Sequence, residues 1–335
     1  MTARAPTSRR RCFGSAALRL WLAALGLLVG LGAAAAPRAP LRLGPHPVGS
    51  PRRVITIAPS LTETVLALGA GDRLVGVSRF DDAAAVKGLP RVGGYTDPSV
   101  EAVISLRPDL VLAEPSPGNR AAVERMAALG TPVLALGLGN EEEIYSALRE
   151  VGAALGLADQ GKALAQATLD RVKAVRQRSR PLTKARALVV YDWEPLVVAG
   201  PGSFGDAMLQ IAGATNAAEA ARSAYPVFSA ELAVRAAPEV IVDAADVREG
   251  SRERLLKLPG LAEARLAVAS PSLFRPGPRL GEAVEELLNL LHPSLAATSQ
   301  SPSPSPSTSP SPSTSPSPST STSTSTSTFT PSGKP

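Results

Sequence analysis

The chain has 335 residues, enough for two modest domains, and its formal charge of +6 comes from 35 basic and 29 acidic residues. Five basic residues lie before position 37 and one lies after position 298, so the intervening body carries 29 charges of each sign. A balanced body without a basic patch excludes a nucleic-acid-binding surface. The chain has one cysteine and two histidines, which excludes a disulfide framework and a cysteine metal site.

The N-terminus has the pattern of a secretory signal. Arginines precede the apolar run "LWLAALGLLVGLGAAAA" at 20–36, and we expect residues 1–36 to be cleaved during export. Left uncut, this run is a marginal membrane-spanning helix. The stretch "SRRRCF" fits both a twin-arginine signal and an ordinary basic leader. Because Cys12 precedes the apolar run, it is not the lipid-modified first residue of a mature chain.

Strands and helices alternate along the body, which predicts an α/β fold with mostly parallel sheets. Strand patterns occur at 52–60, 73–78, 110–114, the stretch "PVLALG", 185–192, 196–200 and 266–269. Helix patterns occur at 61–71, "NRAAVERMAALG", "EEEIYSALREVGAALG", 159–179, 204–213 and 280–292. The long helix has no strand partner, so we expect it to join two Rossmann-like lobes as a rigid connection. The expected divisions are a signal at 1–36, a linker at 37–50, an N-terminal lobe at 51–157, the connecting helix at 158–180, a C-terminal lobe at 181–293 and a disordered tail at 299–335.

One phrase occurs twice with an offset of 130 residues. "SVEAVISLRPDLVL" occupies 99–112 and "SAELAVRAAPEVIV" occupies 229–242. Each copy begins with a serine, has a glutamate two positions later, and continues through a proline and an acid into aliphatic residues. The pattern predicts a serine-capped helix followed by a buried strand. We therefore expect the same helix–strand unit once in each lobe.

The C-terminal tail is almost entirely serine, proline and threonine. Such a composition cannot bury a core and predicts an extended, disordered segment. A wall-spanning or glycosylated spacer and a neutral extension both fit this pattern.

Three patterns associated with chemistry are weak. "GPGSFG" at 200–205 matches a dinucleotide fingerprint after a strand, but no later strand ends in the required acid. We expect this turn to carry Ser203 and Phe204 toward a ligand instead. The two histidines lie at opposite ends of the body, so neither a catalytic triad nor a histidine metal site is predicted. The acids at 81, 82 and 97 are typical of loops, although oxygen ligands of this kind also bind cations. No enzymatic activity, catalytic residue or cofactor is predicted.

Aromatic residues are scarce, and five of them follow predicted strands, namely Phe80, Tyr95, Trp193, Tyr225 and Phe274. Loops at the carboxyl ends of parallel strands bind ligands in α/β folds. The five side chains therefore predict a cleft for a large, flat, partly apolar ligand. Tyr145 and Tyr191 fall within a helix and a strand and are expected in the core.

The body resembles periplasmic substrate-binding proteins that capture cobalamin, ferric siderophores or haem for ABC importers. The resemblance covers nearly all of 50–293 and rests on these stretches: "RVITIAPSLTETVLALG", "VGGYTDPSVEAVISLRPDLVLAE", "VVAGPGSFGDAMLQIAGATNAA", "SAYPVFSAELAVRAAPEVIV" and "GPRLGEAVEELLNLLHP". It implies a non-enzymatic, monomeric binding protein located in the periplasm. It also implies an inner-membrane permease dimer as partner and a metal chelate as ligand.

Cobalamin binders look most similar among these relatives. Their pattern implies that Tyr95 and Tyr225 flank a corrin from opposite lobes, with Phe80 and Trp193 in further loops. Position 114 departs from it, because Glu114 stands where the relative has an aromatic residue, which puts the exact ligand in doubt. Arg275 and Arg279 have the chemistry to bind carboxylates or phosphate on a ligand. The alternative for Arg279 is a helix-start residue paired with Glu282 or Glu285.

The resemblance gives the repeated glutamates a role. In this family one glutamate on top of each lobe docks onto arginines of the permease, and Glu101 and Glu231 match these positions. The plain alternative is that a glutamate in the first helical turn is favoured by the helix dipole alone.

Overall fold

The computed structural model of the protein describes residues 38–245 and 251–295. The predicted signal and tail lie outside the described residues. The strands are β1 (Leu41–Leu43), β2 (Val54–Thr56), β3 (Leu74–Gly76), β4 (Leu110–Ala113), β5 (Val133–Ala135), β6 (Arg186–Trp193), β7 (Leu196–Val198), β8 (Thr215–Asn216), β9 (Val240–Asp243) and β10 (Arg265–Val268). The α-helices are α1 (Pro59–Ala67), α2 (Val100–Ser105), α3 (Arg120–Ala128), α4 (Glu141–Ala154), α5 (Ala158–Ser179), α6 (Phe204–Ile211), α7 (Ala230–Arg235), α8 (Ser251–Leu256) and α9 (Leu280–Leu291). No helix in these ranges is long and apolar enough to cross a membrane.

Two mostly parallel sheets form the two lobes, as the sequence predicts. The N-terminal sheet has the order β1-β5-β4-β2-β3, in which only β1 runs antiparallel to its neighbour. The C-terminal sheet has the order β10-β9-β6-β7, with β8 also pairing parallel to β6. In this sheet β6 and β7 form an antiparallel hairpin. The ligand loops of parallel strands therefore gather at one edge of each sheet.

Two segments differ from the sequence expectation. Residues 37–50 were expected to be a linker, but β1 lies there and pairs with β5 from Leu41 opposite Ala135. Three residues of strand are too short for a clear periodic pattern, and the pairing partner lies far along the chain. The strand β6 also extends one residue beyond the expected end and includes Trp193.

The repeated phrase forms the same structural unit in both lobes. Ser99 and Ser229 cap α2 and α7, and each hydroxyl accepts a hydrogen bond from the backbone amide three residues later. Each helix ends at a residue in the left-handed region, Arg107 with φ of 46° and Ala237 with φ of 43°. Both residues precede a proline, which disfavours the right-handed helical conformation and stops the helix.

The acid after each proline fastens the unit to the adjacent strand. The Asp109 carboxylate accepts hydrogen bonds from the backbone amides of Arg52 and Arg53, both at 2.9 Å. In the other lobe, Glu239 accepts from the amide of Arg186 at 3.1 Å. The two arginine side chains, 53 and 186, donate in turn to the last carbonyl groups of α2 and α7. The repeat therefore preserves the hydrogen bonds as well as the helix and strand.

The helix α5 connects the lobes and packs between α4 and α9. Its buried face includes Ala165, Val172 and Val175, which belong to one continuous apolar core containing residues of both sheets. Ion pairs join its exposed face to α9, from Arg171 to Glu282 at 2.7 Å and from Arg178 to Glu285 at 2.6 Å. The two lobes are thus attached to one rigid element over its whole length.

At the crossing of α4 and α5, two glycines bring the helices into backbone contact. A Cβ added at Gly152 would lie 2.6 Å from the Cα of Gly161. Only a residue without a side chain permits this approach.

We expect Gly152→Ala to destabilise the protein, because the added methyl group must push α5 away from α4. The expected loss in the free energy of unfolding is about 1–3 kcal/mol, measured by thermal or urea unfolding. Gly88→Ala is the control, since a Cβ there meets nothing within 4 Å. Equal stability of the two variants would contradict the close crossing.

Candidate ligand-binding cleft

One wall of the candidate cleft is built from two loops of the N-terminal lobe. Tyr95 lies in the loop before α2, and Glu114 directly follows β4. The buried side chain of Asn119 donates to the backbone carbonyl of Tyr95 at 2.6 Å and to that of Glu114 at 2.7 Å. A single amide group therefore holds the two loops side by side. The ring of Tyr95 remains 42% exposed and is available to a ligand.

Phe80 lies on the same lobe, beside the loop that carries Tyr95. Its side chain is 53% exposed, and the guanidinium of Arg79 lies 5.0 Å from the ring centroid. Both carboxylate oxygens of Asp97 accept from Arg79 at 2.8 Å, which links the two loops. A Cβ added at Gly94 would lie 2.9 Å from the Phe80 ring, so any side chain at this position would displace the ring.

The opposite wall carries Tyr225, whose loop is fixed by backbone pairing to β7. The amide of Gly200 donates to the carbonyl of Ala224 at 2.9 Å, and that of Val198 donates to the carbonyl of Pro226 at 3.2 Å. A Cβ at Gly200 would collide with the carbonyl oxygen of Ser223, so this position requires glycine. The Tyr225 side chain is 56% exposed.

Three aromatic rings form a cluster on this wall. The ring centroid of Tyr191 lies 5.7 Å from that of Tyr225 and 5.5 Å from that of Phe274, with tilted and edge-on geometry. Tyr191 was expected only in the core, but its ring contacts and supports both Tyr225 and Phe274. Burial raises the pKa of Tyr191, which stays a neutral phenol.

Groups of the N-terminal lobe affect the pKa of Tyr225. Burial raises the pKa of the Tyr225 hydroxyl, and the charges of Glu114 and Tyr95 raise it further. These two residues belong to the other lobe. The space between Phe80, Tyr95 and Glu114 on one side and Tyr225 and its aromatic cluster on the other is called the cleft below.

Glu114 is the unpaired carboxylate of the cleft. Burial raises its pKa from 4.5 to about 7, Arg38 lowers it, and Glu143 raises it. Arg38 does not offset the effect of burial on the pKa of Glu114, because its own partner is Glu143. The Glu143 carboxylate accepts hydrogen bonds from the Arg38 backbone amide at 2.8 Å and from the Arg38 guanidinium at 3.1 and 3.2 Å. In the described ranges no hydrogen bond or ion pair reaches the carboxylate of Glu114.

Arg275 was expected to bind an acidic group of the ligand, but the structure uses it to join the lobes. Its guanidinium donates to Glu63 of α1 at 2.7 Å and to both carboxylate oxygens of Asp82 at 3.0 and 3.1 Å. The hydrogen bonds from Arg275 lower the pKa of Asp82. Two acids from the opposite lobe therefore satisfy this arginine. The prediction missed them because they lie 212 and 193 residues away along the chain.

Arg279 contacts the same acid, with its Nε 3.5 Å from Glu63. It does not pair with Glu282 or Glu285, because Arg171 and Arg178 of α5 occupy those carboxylates. A cavity of about 570 Å³ adjoins these ion pairs beside α5, and it includes none of the cleft aromatics among its lining residues. The charged cluster and the aromatic cleft are thus separate features.

The prediction for Trp193 is wrong about its location. The residue ends β6, is only 3% exposed, and packs within the core of the C-terminal lobe. Its indole N–H donates to the buried carboxylate of Asp243 at 2.9 Å. A buried polar pair of this kind is a structural contact between neighbouring strands.

Ser203 and Phe204 do not present their side chains to a ligand either. Ser203 is buried and caps α6 by accepting from the amide of Asp206 at 3.1 Å, and the Phe204 ring lies in the core. The backbone of Phe204 hydrogen-bonds to Tyr225, and the Asp206 carboxylate accepts from the amide of Gly202 at 3.1 Å. An occupied helix start with a carboxylate beside it disfavours a pyrophosphate, so the dinucleotide alternative loses its basis.

The three acids considered as a cation site are held apart by different partners. Asp97 pairs with Arg79 and Asp82 with Arg275. Asp81 is buried, its pKa is raised by burial, and a hydrogen bond with Thr62 lowers it. Within the described ranges, no group of three acidic, histidine or cysteine side chains is arranged to hold a metal ion.

Sequence reasoning missed Asn119 and the supporting role of Tyr191. Asn119 lies just before α3 in "SPGNR", a stretch typical of a loop, and nothing local marks its contact with Tyr95, 24 residues away. Tyr191 was assigned by strand pattern alone. The position of Tyr191 near the end of β6 could have indicated its supporting role, since strand ends border ligand sites in this fold class.

Comparison with known proteins identifies the family. The model of the periplasmic binding protein family matches residues 54–272. The chain belongs to this family. A vitamin B12-binding protein of Yersinia pestis is 26% identical over 242 residues, which cover 72% of this chain and 86% of that protein.

Solved structures agree with this assignment. A periplasmic haem-binding protein from Pseudomonas aeruginosa is 31% identical with a TM-score of 0.63, covering 73% of this chain and 94% of its own. The vitamin B12-binding protein of Vibrio cholerae is 22% identical with a TM-score of 0.66, covering 75% and 99%, and shares the fold. The chain is therefore a substrate-binding protein of the class whose members bind vitamin B12, haem or iron compounds.

We expect Glu114→Gln to stabilise the ligand-free protein at pH 8 and to leave its stability unchanged at pH 4. Between the ordinary pKa of 4.5 and the folded value of about 7, the folded state retains a proton that the unfolded chain has lost. The free energy of unfolding therefore falls as pH rises through this window, by about 3 kcal/mol at most. Glutamine carries no charge and avoids this loss.

Urea unfolding of the wild type and Glu114→Gln across this pH range measures the effect. Glu263→Gln, at an exposed position before β10, is the control. A stability difference that does not change between pH 4 and pH 8 would disprove the raised pKa.

Proposed function

We propose that this protein captures a corrinoid, cobalamin in the first instance, outside the cytoplasm and delivers it to an ABC importer. The observation that carries the proposal is the pair of half-exposed tyrosines, Tyr95 in a loop of one lobe and Tyr225 in a loop of the other, on lobes joined by α5. Large aromatic faces bind flat, partly apolar ligands over a wide area at little entropic cost. A relative named as a vitamin B12-binding protein supports this choice.

Haem or a ferric siderophore is the alternative ligand within the same class. Solved structures of haem-binding proteins are among the similar folds, two of them at 30% and 31% identity. Both histidines lie outside the cleft, and Tyr95 and Tyr225 are its exposed phenols. A spectral titration separates the candidates, because each of these ligands absorbs visible light and its band shifts on binding.

Delivery requires a docking surface, for which we propose Glu101 and Glu231. Both side chains are exposed in the first turn of α2 and α7, one in each lobe. A hydrogen bond with Ser229 lowers the pKa of Glu231, which keeps this carboxylate ionised. Two equivalent acids on a rigid two-lobed body suit a permease dimer with a basic residue on each subunit. The protein is expected to act as a monomer, released into the periplasm after cleavage of the signal.

Tyr95→Ala and Tyr225→Ala are each expected to weaken cyanocobalamin binding by roughly tenfold or more, since each removes one face of the contact. Titration of the purified protein, followed by visible absorption, measures the affinity. Leu129→Ala removes a similarly exposed apolar side chain from the end of α3 and should bind as the wild type does. Wild-type affinity in both tyrosine variants would rule out the stacking contact.

Charge reversal at both docking positions, Glu101→Arg with Glu231→Arg, is expected to abolish uptake in cells while leaving ligand affinity intact. Neither side chain belongs to the cleft, so only the contact with the permease should be lost. Glu263→Arg serves as the matched control, because its side chain is exposed and lies outside both copies of the repeated unit. Uptake that survives the double reversal, or affinity that falls with it, would refute the docking role.

A further inference from the structure

Glu114 differs from Asp97 and Asp82 because no arginine forms an ion pair with it in the described ranges. Asp97 and Asp82 each bind an arginine, whereas no hydrogen bond or ion pair within the described ranges reaches the Glu114 carboxylate. Its backbone is held rigidly, since Asn119 donates to its carbonyl and to that of Tyr95. The backbones of Glu114 and Tyr95 are therefore held side by side at the end of β4.

The groups around Glu114 come from every neighbouring element. Arg38 and Glu143 approach from the N-terminal segment and α4, and form an ion pair with each other at 3.1 Å. The charges of Glu114 and Tyr95 both raise the pKa of Tyr225, which belongs to the other lobe. The ion pair of Arg38 with Glu143 has little net charge, and the neutral phenols of Tyr95 and Tyr225 add no positive charge. The carboxylate thus has no cation of its own.

Two arginines, one in the Phe80 loop and one that joins the lobes, are already occupied by acids. Arg79 is bound by Asp97 through two oxygens, and Arg275 by Glu63 and Asp82. In the part of the chain that the structure describes, these two do not offer a free guanidinium to an anionic ligand.

We infer that Glu114 determines ligand specificity, admitting ligands whose rim presents amide or cationic groups and rejecting those with free carboxylates at this wall. The inference rests on the proposed function and deepens it. A corrinoid such as cobalamin has a rim of carboxamides, whereas haem carries two propionates. An amide fits either state of Glu114, because its N–H donates to a carboxylate and its carbonyl accepts from a neutral acid.

A ligand carboxylate fits only the neutral acid, so its binding depends on pH. Burial raises the pKa of Glu114 to about 7, and the group changes charge near neutral pH. Above this value two like charges repel at short range in a partly dehydrated site. Carboxylate-bearing ligands should therefore bind more weakly at pH 8 than at pH 6, while amide-bearing ligands should bind about equally at both.

The test compares cyanocobalamin with a corrinoid whose rim amides have been hydrolysed to carboxylates, on wild type and Glu114→Gln, at pH 6 and pH 8. Visible absorption reports binding of both probes. In the wild type at pH 8, the carboxylate probe should bind more weakly by on the order of tenfold, and this difference should shrink at pH 6. Glu114→Gln should show a small difference at both pH values, and Glu263→Gln should behave as the wild type.

Each outcome bears on one claim. A wild-type preference that is the same at both pH values, or that persists in Glu114→Gln, overturns the specificity role while cobalamin binding stands. The wild-type pH comparison needs no substitution and remains decisive if the variant fails to fold. If wild type binds neither corrinoid, the proposed function fails, and haem then tests the specificity role separately. Haem should bind Glu114→Gln more tightly than wild type at pH 8, and equal affinity overturns the inference.

Discussion

The rest of the structure depends on the packing of α5 against α4 and α9. Gly152 and Gly161 let two helix backbones touch, and the apolar face of α5 completes a core that runs from one sheet to the other. A two-lobed protein with separate cores and an extended linker would open and close freely. Here the lobes share one core, so their separation is set by helix packing, and close packing resists continuous deformation. The cleft is consequently largely formed before a ligand arrives.

A preformed cleft needs walls as rigid as its base, and hydrogen bonds to backbone groups hold the loops of both walls. Asn119 ties the loop of Tyr95 to the end of β4, and the Gly200 amide ties the loop of Tyr225 to β7. The exposed rings therefore keep their positions without being buried. Arg275 adds a third constraint by joining the lobes beside the cleft. Binding then costs less ordering entropy than it would with mobile loops.

Local patterns predicted much of this fold, and long-range contacts account for the errors. The serine caps at 99 and 229, the helix ends before proline and the long helix α5 were predictable because each depends on neighbours within a few residues. Trp193 and Arg275 were misassigned because their partners, Asp243 and Glu63, lie 50 and 212 residues away. A tryptophan beside a turn and an arginine between prolines look like surface residues until the opposing acid is placed. The loops at the strand ends could be located from the sequence, but which of their residues are structural could not.

Each lobe has an acid at the end of the repeated strand, although not at the matching position, because the offset of 130 pairs Asp243 with Ala113. The same strand ends in Asp243 in one lobe and is followed directly by Glu114 in the other. Asp243 is fully buried and accepts hydrogen bonds from Trp193 at 2.9 Å and Arg252 at 3.0 Å, so its charge is balanced within the protein. Glu114 has no such partners, and burial therefore raises its pKa. The hydrogen bonds of Asp243 stabilise the folded state, whereas the unpaired carboxylate of Glu114 does not. An unbalanced carboxylate beside the Tyr95 loop is the group that we propose to select the ligand.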